Sequence, residues 1–144
     1  GYPLPVFDEA MDQLKAIGVE TVVHAILGLP GETPDMILDT VRHINASGAD
    51  GIKLQLLHIL KDTDLAAYYQ DTGFHVLTLD EYVDLVIRWL EITRPDLVIH
   101  RLTGDGPKDL LIAPLWSQAK RQVLNTIHRE LKNRDTYQGR LYTP

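Results

Sequence analysis

The residues with the most chemistry in them fall in three places, each following a run of apolar, largely β-branched or leucine-rich residues. The first is Gly28-Leu29-Pro30-Gly31-Glu32-Thr33-Pro34, directly after Val22-Val23-His24-Ala25-Ile26-Leu27. Its two glycines let a ligand approach the backbone, and amides that open a following helix favour anionic or polar groups. A strand-to-helix turn that binds nothing would use the same residue types. The second place starts at His58-Ile59, after Gly51–Leu57, where Lys53 and Gln55 alternate with Ile52, Leu54 and Leu56. A lysine or glutamine turned into a barrel needs a partner or a ligand, so both are site candidates; on an edge strand they would simply meet water. The third is Arg101-Leu102-Thr103-Gly104-Asp105-Gly106-Pro107-Lys108. Arg101 offers a bidentate fork and Lys108 a point charge to an anionic group. Salt bridges to Asp105 or Asp109 would occupy them equally well. His24 shares the parity of Ile26, although a lone strand histidine more commonly serves the core.

Helices must position these places. Phe7, Met11, Leu14 and Ile17 recur at helical spacing, with Gly18 as a stop, which predicts a helix over 7–17. A strand over 21–27 follows. Thr33 fits an N-cap and Pro34 the first helical position, opening a helix to about Ala46 that buries Ile37, Leu38, Val41 and Ile44. Asp62 or Thr63 caps a short helix ending near Asp71, with Gly73 after it. Thr78 and Glu81 have the spacing of a capping box for a helix over 79–92. A third strand spans 97–102. Trp116, Ala119, Val123, Ile127 and Leu131 mark a long last helix to about Arg134, and 135–144 lacks periodicity. Strands separated by helices imply right-handed crossovers and a parallel sheet of strands adjacent in chain order. The fold expected is α/β: a parallel-strand slice of a partial (β/α) barrel, residues 1–114, with a C-terminal helix and tail, 115–144, packed on it. Ligand sites in such folds collect at the carboxyl ends of the strands, so the three places should converge.

Composition narrows the function. No apolar run approaches a membrane span of about 20 residues, no signal peptide is visible, and a cytoplasmic home is the default. The net charge is −6, yet residues 115–144 hold six basic and two acidic side chains. That basic last helix could meet RNA or an acidic protein, or be only a solvated face. Exposed sheet edges could support self-association. The chain has no cysteine, which excludes disulfides, thiol catalysis and a self-supplied Cys-ligated cluster. It also begins without Met, so we expect the C-terminal part of a longer protein.

A strand ending in GLPGET resembles the S-adenosylmethionine (SAM) adenine site of radical SAM enzymes of the group containing the tRNA methylthiotransferases and the Elongator catalytic subunit. Lys61-Asp62-Thr63-Asp64-Leu65 is similar to the "GTxL" element of that group, with Asp62 in place of Gly. The runs Arg101–Trp116 and Arg134-Asp135-Thr136-Tyr137-Gln138-Gly139 resemble an uncharacterised bacterial radical SAM family lacking the acetyltransferase part of Elongator, and the resemblance covers essentially the whole chain. It implies a parent enzyme of the radical SAM barrel type, an oxidoreductase or transferase, with SAM and a [4Fe–4S] cluster whose cysteines lie upstream. There SAM is cleaved reductively to a 5′-deoxyadenosyl radical that acts on a substrate, possibly RNA; the present chain alone is expected to be inactive and to hold no metal. It also implies that Ile26, Gly28, Leu29, Pro30 and Gly31, with Gln55 and the backbone of His58 and Ile59, contact SAM. Lys53, Arg101, Asp105 and Lys108 would face the substrate. Two other classes fit the same residues: a phosphate- or nucleotide-binding α/β domain using GLPGET as an anion turn, and a non-catalytic RNA or protein interaction module.

Overall fold

A computed structural model of the chain describes residues 2–144. The elements in chain order are helix α1 (Leu4–Ala16), strand β1 (Val22–Leu27), helix α2 (Pro34–Ser47), strands β2 (Gly51–Leu56) and β3 (Ile59–Leu60), helices α3 (Asp64–Thr72) and α4 (Leu79–Ile92), strands β4 (Val98–Arg101) and β5 (Leu111–Ala113), a 3-10 turn (Leu115–Gln118) and helix α5 (Lys120–Asn133). β1, β2 and β4 form one parallel sheet in that order, joined by helical crossovers as expected, and β1 and β4 are its edges.

Local chemistry sets the helix starts. Thr33 and Thr63 accept from Met36 N and Ala66 N, and Thr78 with Glu81 forms the reciprocal capping box. Helices α2, α4 and α5 share one core with the sheet. Ala25 and Leu27 of β1 and Ile52, Leu54 and Leu56 of β2 point toward them and are buried, with Ile37, Leu38, Val41 and Ile44 of α2 all buried as expected. α4 lies deepest. Tyr82, Val83, Leu85, Val86, Ile87, Trp89 and Leu90 are all buried because α2 packs on one flank and α5 on the other. Val123 and Ile127 of α5 join that same core.

On the other side of the sheet His24 and Ile26 are exposed. His24 and Ile26 pair in register with Lys53 and Gln55. Between β2 and β4 the register steps from Ile52↔Ile99 to Lys53↔Arg101, skipping His100. One extra residue in a strand re-aims the next side chain, and here it brings Arg101 onto the face of Lys53 and Gln55. Gly51 leaves room for His100 there, since a Cβ at 51 would sit 2.6 Å from its ring nitrogen.

Four expectations change. α1 starts at Leu4, and of its predicted apolar stripe only Met11 is buried; Ile17 is 75% exposed. The third strand is shorter and bulged. The last helix is interrupted: Trp116 lies in the 3-10 turn, where its indole donates to Leu77 O at 3.0 Å, and α5 begins at Lys120. An antiparallel β3–β5 hairpin was not foreseen, with Ile59 opposite Ala113 and Leu60 opposite Leu111. The tail is irregular as expected, but pinned: Gly139 N and Leu141 N donate to Leu90 O and Glu91 O, and the Gln138 amide donates to Arg94 O and Leu97 O.

Candidate functional site at the carboxyl ends of the strands

The turn after β1 is closed on itself. Gly28 N and Leu29 N both donate to the Glu32 carboxylate, at 2.8 and 3.1 Å, and Thr33 takes Met36 N. The amides that would cradle a phosphate therefore already have an anion of the chain's own. This counts against GLPGET as an open anion turn. Gly28 has φ +84, and a Cβ there would lie 2.9 Å from Leu77 Cδ1, so its lack of a side chain serves the turn and its packing. Gly31, also at positive φ, faces open space. Beside the turn, Ile26 and Leu29 are 41% and 45% exposed, an apolar shelf at the open face of the sheet, with Pro30 half-buried between Leu29 and Gly31.

The ends of β2 and β4 meet directly. The Arg101 guanidinium donates through Nη2 to Gln55 Oε1 at 2.7 Å. The loop leaving β4 is anchored at its start by the Tyr82 hydroxyl, which donates to Leu102 O at 2.7 Å; burial pushes the Tyr82 hydroxyl well up from its ordinary value. From there the loop folds back over β2. Gly104 passes so close that a Cβ would stand 2.9 Å from Gln55 Oε1, and one at Gly106 would stand 3.3 Å from the His58 ring. The β3–β5 hairpin and the Lys61 contacts, N to Leu110 O and Nζ to Asp109 O, fasten its far end. Two polar atoms near this crossing are buried with no partner, His58 Nε2 and Arg101 Nε, while the buried Thr103 hydroxyl lies within hydrogen-bonding reach of the Tyr82 hydroxyl. Burial holds the His58 imidazole below its ordinary value, partly offset by the nearby Asp105 carboxylate.

Of the predicted site residues, Gln55 and Arg101 are thus in contact, Lys53 lies beside Arg101 in register, and one loop passes over both Gln55 and His58. Ile26 and Leu29 line the neighbouring shelf. Ile59 is fully buried in the hairpin, so it offers a ligand only backbone. Asp105 pairs with Lys120 at 3.0 Å, not with Arg101 or Lys108. Lys108 is exposed, and its carbonyl accepts from Gln118. Three basic residues of the C-terminal segment form ion pairs within the chain: Lys120 with Asp105, Arg134 with Asp84 and Glu130, and Arg129 with Glu130. Two residues escaped the sequence reading. Glu32 was hidden because its role depends on the turn's conformation. In the sequence Gly104 is indistinguishable from a loop former, because its close approach to Gln55 depends on where the hairpin carries the loop.

Residues 49–133 match the family described as the Radical_SAM C-terminal domain. The uncharacterised protein YtqA of Bacillus subtilis is 41% identical over 134 residues, 93% of this chain and 42% of YtqA. The uncharacterised protein MJ0486 of Methanocaldococcus jannaschii is 30% identical over 138 residues, 91% of this chain and 43% of that protein. The chain therefore spans less than half the length of these curated relatives. The structure of archaeal Elp3 from Methanocaldococcus infernus, with an N-terminal deletion, superposes with a TM-score of 0.81 over 96% of this chain and 32% of that one, at 15% identity, a likeness of fold. Among the described residues no helix is long and apolar enough to cross a membrane.

Proposed function

The chain belongs to the Radical_SAM C-terminal domain family, and from that premise we propose that it forms the substrate-side part of a radical SAM iron–sulfur enzyme. The observation that carries this is the extent of the family match, residues 49–133, which takes in the ends of β2 and β4 and the loop between Arg101 and Lys108. A SAM adenine fits the apolar shelf of Ile26 and Leu29, flanked by Pro30 and by the backbone after β2; an exposed apolar pair beside a rigid turn suits a planar ring better than water. The cluster does not fit this chain's residues, because there is no thiolate to ligate it; its ligands belong to other residues of the parent. When bound and reductively cleaved, SAM supplies a 5′-deoxyadenosyl radical. The role of this chain's residues is to bind and orient: Ile26 and Leu29 hold the apolar ring, and Arg101, fixed by Gln55, faces the substrate with Lys53.

The parent, reconstituted anaerobically with iron, sulfide, SAM and dithionite, is expected to show iron–sulfur absorbance and to release 5′-deoxyadenosine. The 144-residue chain is expected to show neither. A parent with its cysteines intact that shows neither signal overturns the reading.

A further inference from the structure

Arg101, Gln55 and His58 differ from the other polar side chains of the open face in what lies over them. The guanidinium is held at one corner by Gln55 and has its Nε buried and unpaired. His58 likewise keeps a ring nitrogen buried and unpaired. A buried donor or acceptor with no partner is costly to keep, so two of them collected at one strand end call for a ligand. The covering segment is Thr103–Lys108. Gly104 and Gly106 lie on Gln55 and His58 at distances that leave no room for a Cβ on Gly104 and little on Gly106. Asp105 between them reaches out to Lys120 at the start of α5, in a bridge whose side chains are 60% and 42% exposed. Such a bridge is worth little in water, enough to bias a loop and too little to lock it.

We infer that residues 103–108 form a lid, latched by Asp105–Lys120, over an oxyanion pocket built from Arg101, Gln55 and His58, and that the occupant is a carboxylate or phosphate group of the substrate. An anion there takes the unpaired Arg101 edge in the bidentate geometry a guanidinium favours and accepts a hydrogen bond from the His58 ring. Lys53, beside Arg101 in register, adds positive charge on the same face. Glu32 has its carboxylate committed to Gly28 and Leu29; Asp105 lies near His58, and its bridge to Lys120 draws part of that negative charge away from the ligand. Only the identity of the occupant rests on the proposed radical SAM function. SAM brings a carboxylate of its own, and the same chemistry would bind it, so the test separates the two sources.

The full-length parent is titrated with inorganic phosphate and with acetate, following the His58 ring resonance and the amide exchange of 103–108. The expected result is a saturable shift of His58 and slower exchange, both lost in Arg101→Gln and kept in Arg101→Lys, which also guards against misfolding. Lys120→Ala is expected to speed exchange across 103–108 severalfold. SAM affinity is expected to stay within about twofold in Arg101→Gln. A His58 shift that does not saturate, or that survives Arg101→Gln, overturns the pocket. Unchanged exchange in Lys120→Ala overturns the latch, and a loss of SAM affinity of about tenfold or more overturns the substrate as occupant. The phosphate titration needs neither SAM nor cluster, so it stays readable in a parent that releases no 5′-deoxyadenosine.

Discussion

The turn after β1 and the loop after β4 sit at the same end of the same sheet, and both are rich in glycine. They treat polar groups in opposite ways. In the first, Glu32 and Thr33 take up the free amides and Gly28 fits against Leu77, so the turn is complete without a ligand. In the second, the glycines bring backbone over Gln55 and His58, and polar atoms are left buried and unpaired. Glycine alone does not mark a ligand site; what matters is whether the groups around it are satisfied. The first turn frames the sheet and presents an apolar shelf, while unmet polar demand collects under the second. Leu77 ties the two together, packing on Gly28 while its carbonyl accepts from Trp116, whose ring lies 5.4 Å from Tyr82, and Tyr82 holds the start of the loop at Leu102.

The sharpest way to break this contrast is to put a side chain on Gly28. A residue forced to φ near +84 costs about 1–3 kcal/mol in backbone strain, and a β-branched one must also displace Leu77. Gly28→Val is therefore expected to lower the midpoint of urea unfolding further than Glu32→Ala or His58→Asn, at unchanged slope. A variant that keeps its midpoint and instead loses SAM affinity would make this turn a ligand contact and reverse its role in the comparison. Glu32→Ala comes next. It strips one acceptor from two backbone amides, one of them exposed and able to turn to water, so a loss of about 1 kcal/mol is expected. If urea unfolding shows no loss, the turn is not closed by Glu32, and its amides return as an anion site.

Much of this was legible beforehand, for physical reasons. Helix starts rest on short-range chemistry, so Thr33, Thr63 and the Thr78–Glu81 box sat where the sequence placed them. Long crossovers made β1, β2 and β4 parallel and ordered. What stayed hidden depends on contacts far apart in the chain. The strands of the β3–β5 hairpin, two and three residues long, are too short for any period to show. The bulge at His100 decides which face Arg101 takes, and strict alternation along β4 points it away from Gln55. Asp62, which departs from the glycine of the GTxL element, has φ 61; the left-handed region prefers glycine and tolerates Asp better than most residues, so the departure keeps the backbone.

The smallest expected effect concerns pH, and only the second region should show it. Burial lowers His58 from its ordinary value of 6.5 in the folded chain, so the unfolded chain takes up the proton first as pH falls. Stability from keeping His58 neutral is then fully present above 6.5 and is lost progressively below it, until the folded-state value is reached. The measurement is a difference, which isolates His58: urea unfolding of the wild type and of His58→Asn between about pH 5.5 and 7.5. The wild type is expected to lose more stability on acidification than the variant. Added phosphate should shrink that excess, because an anion on Arg101 favours the charged imidazole. Parallel pH profiles would mean that His58 lies open to water, with no lid over it, and the two strand-end turns would then no longer differ in kind.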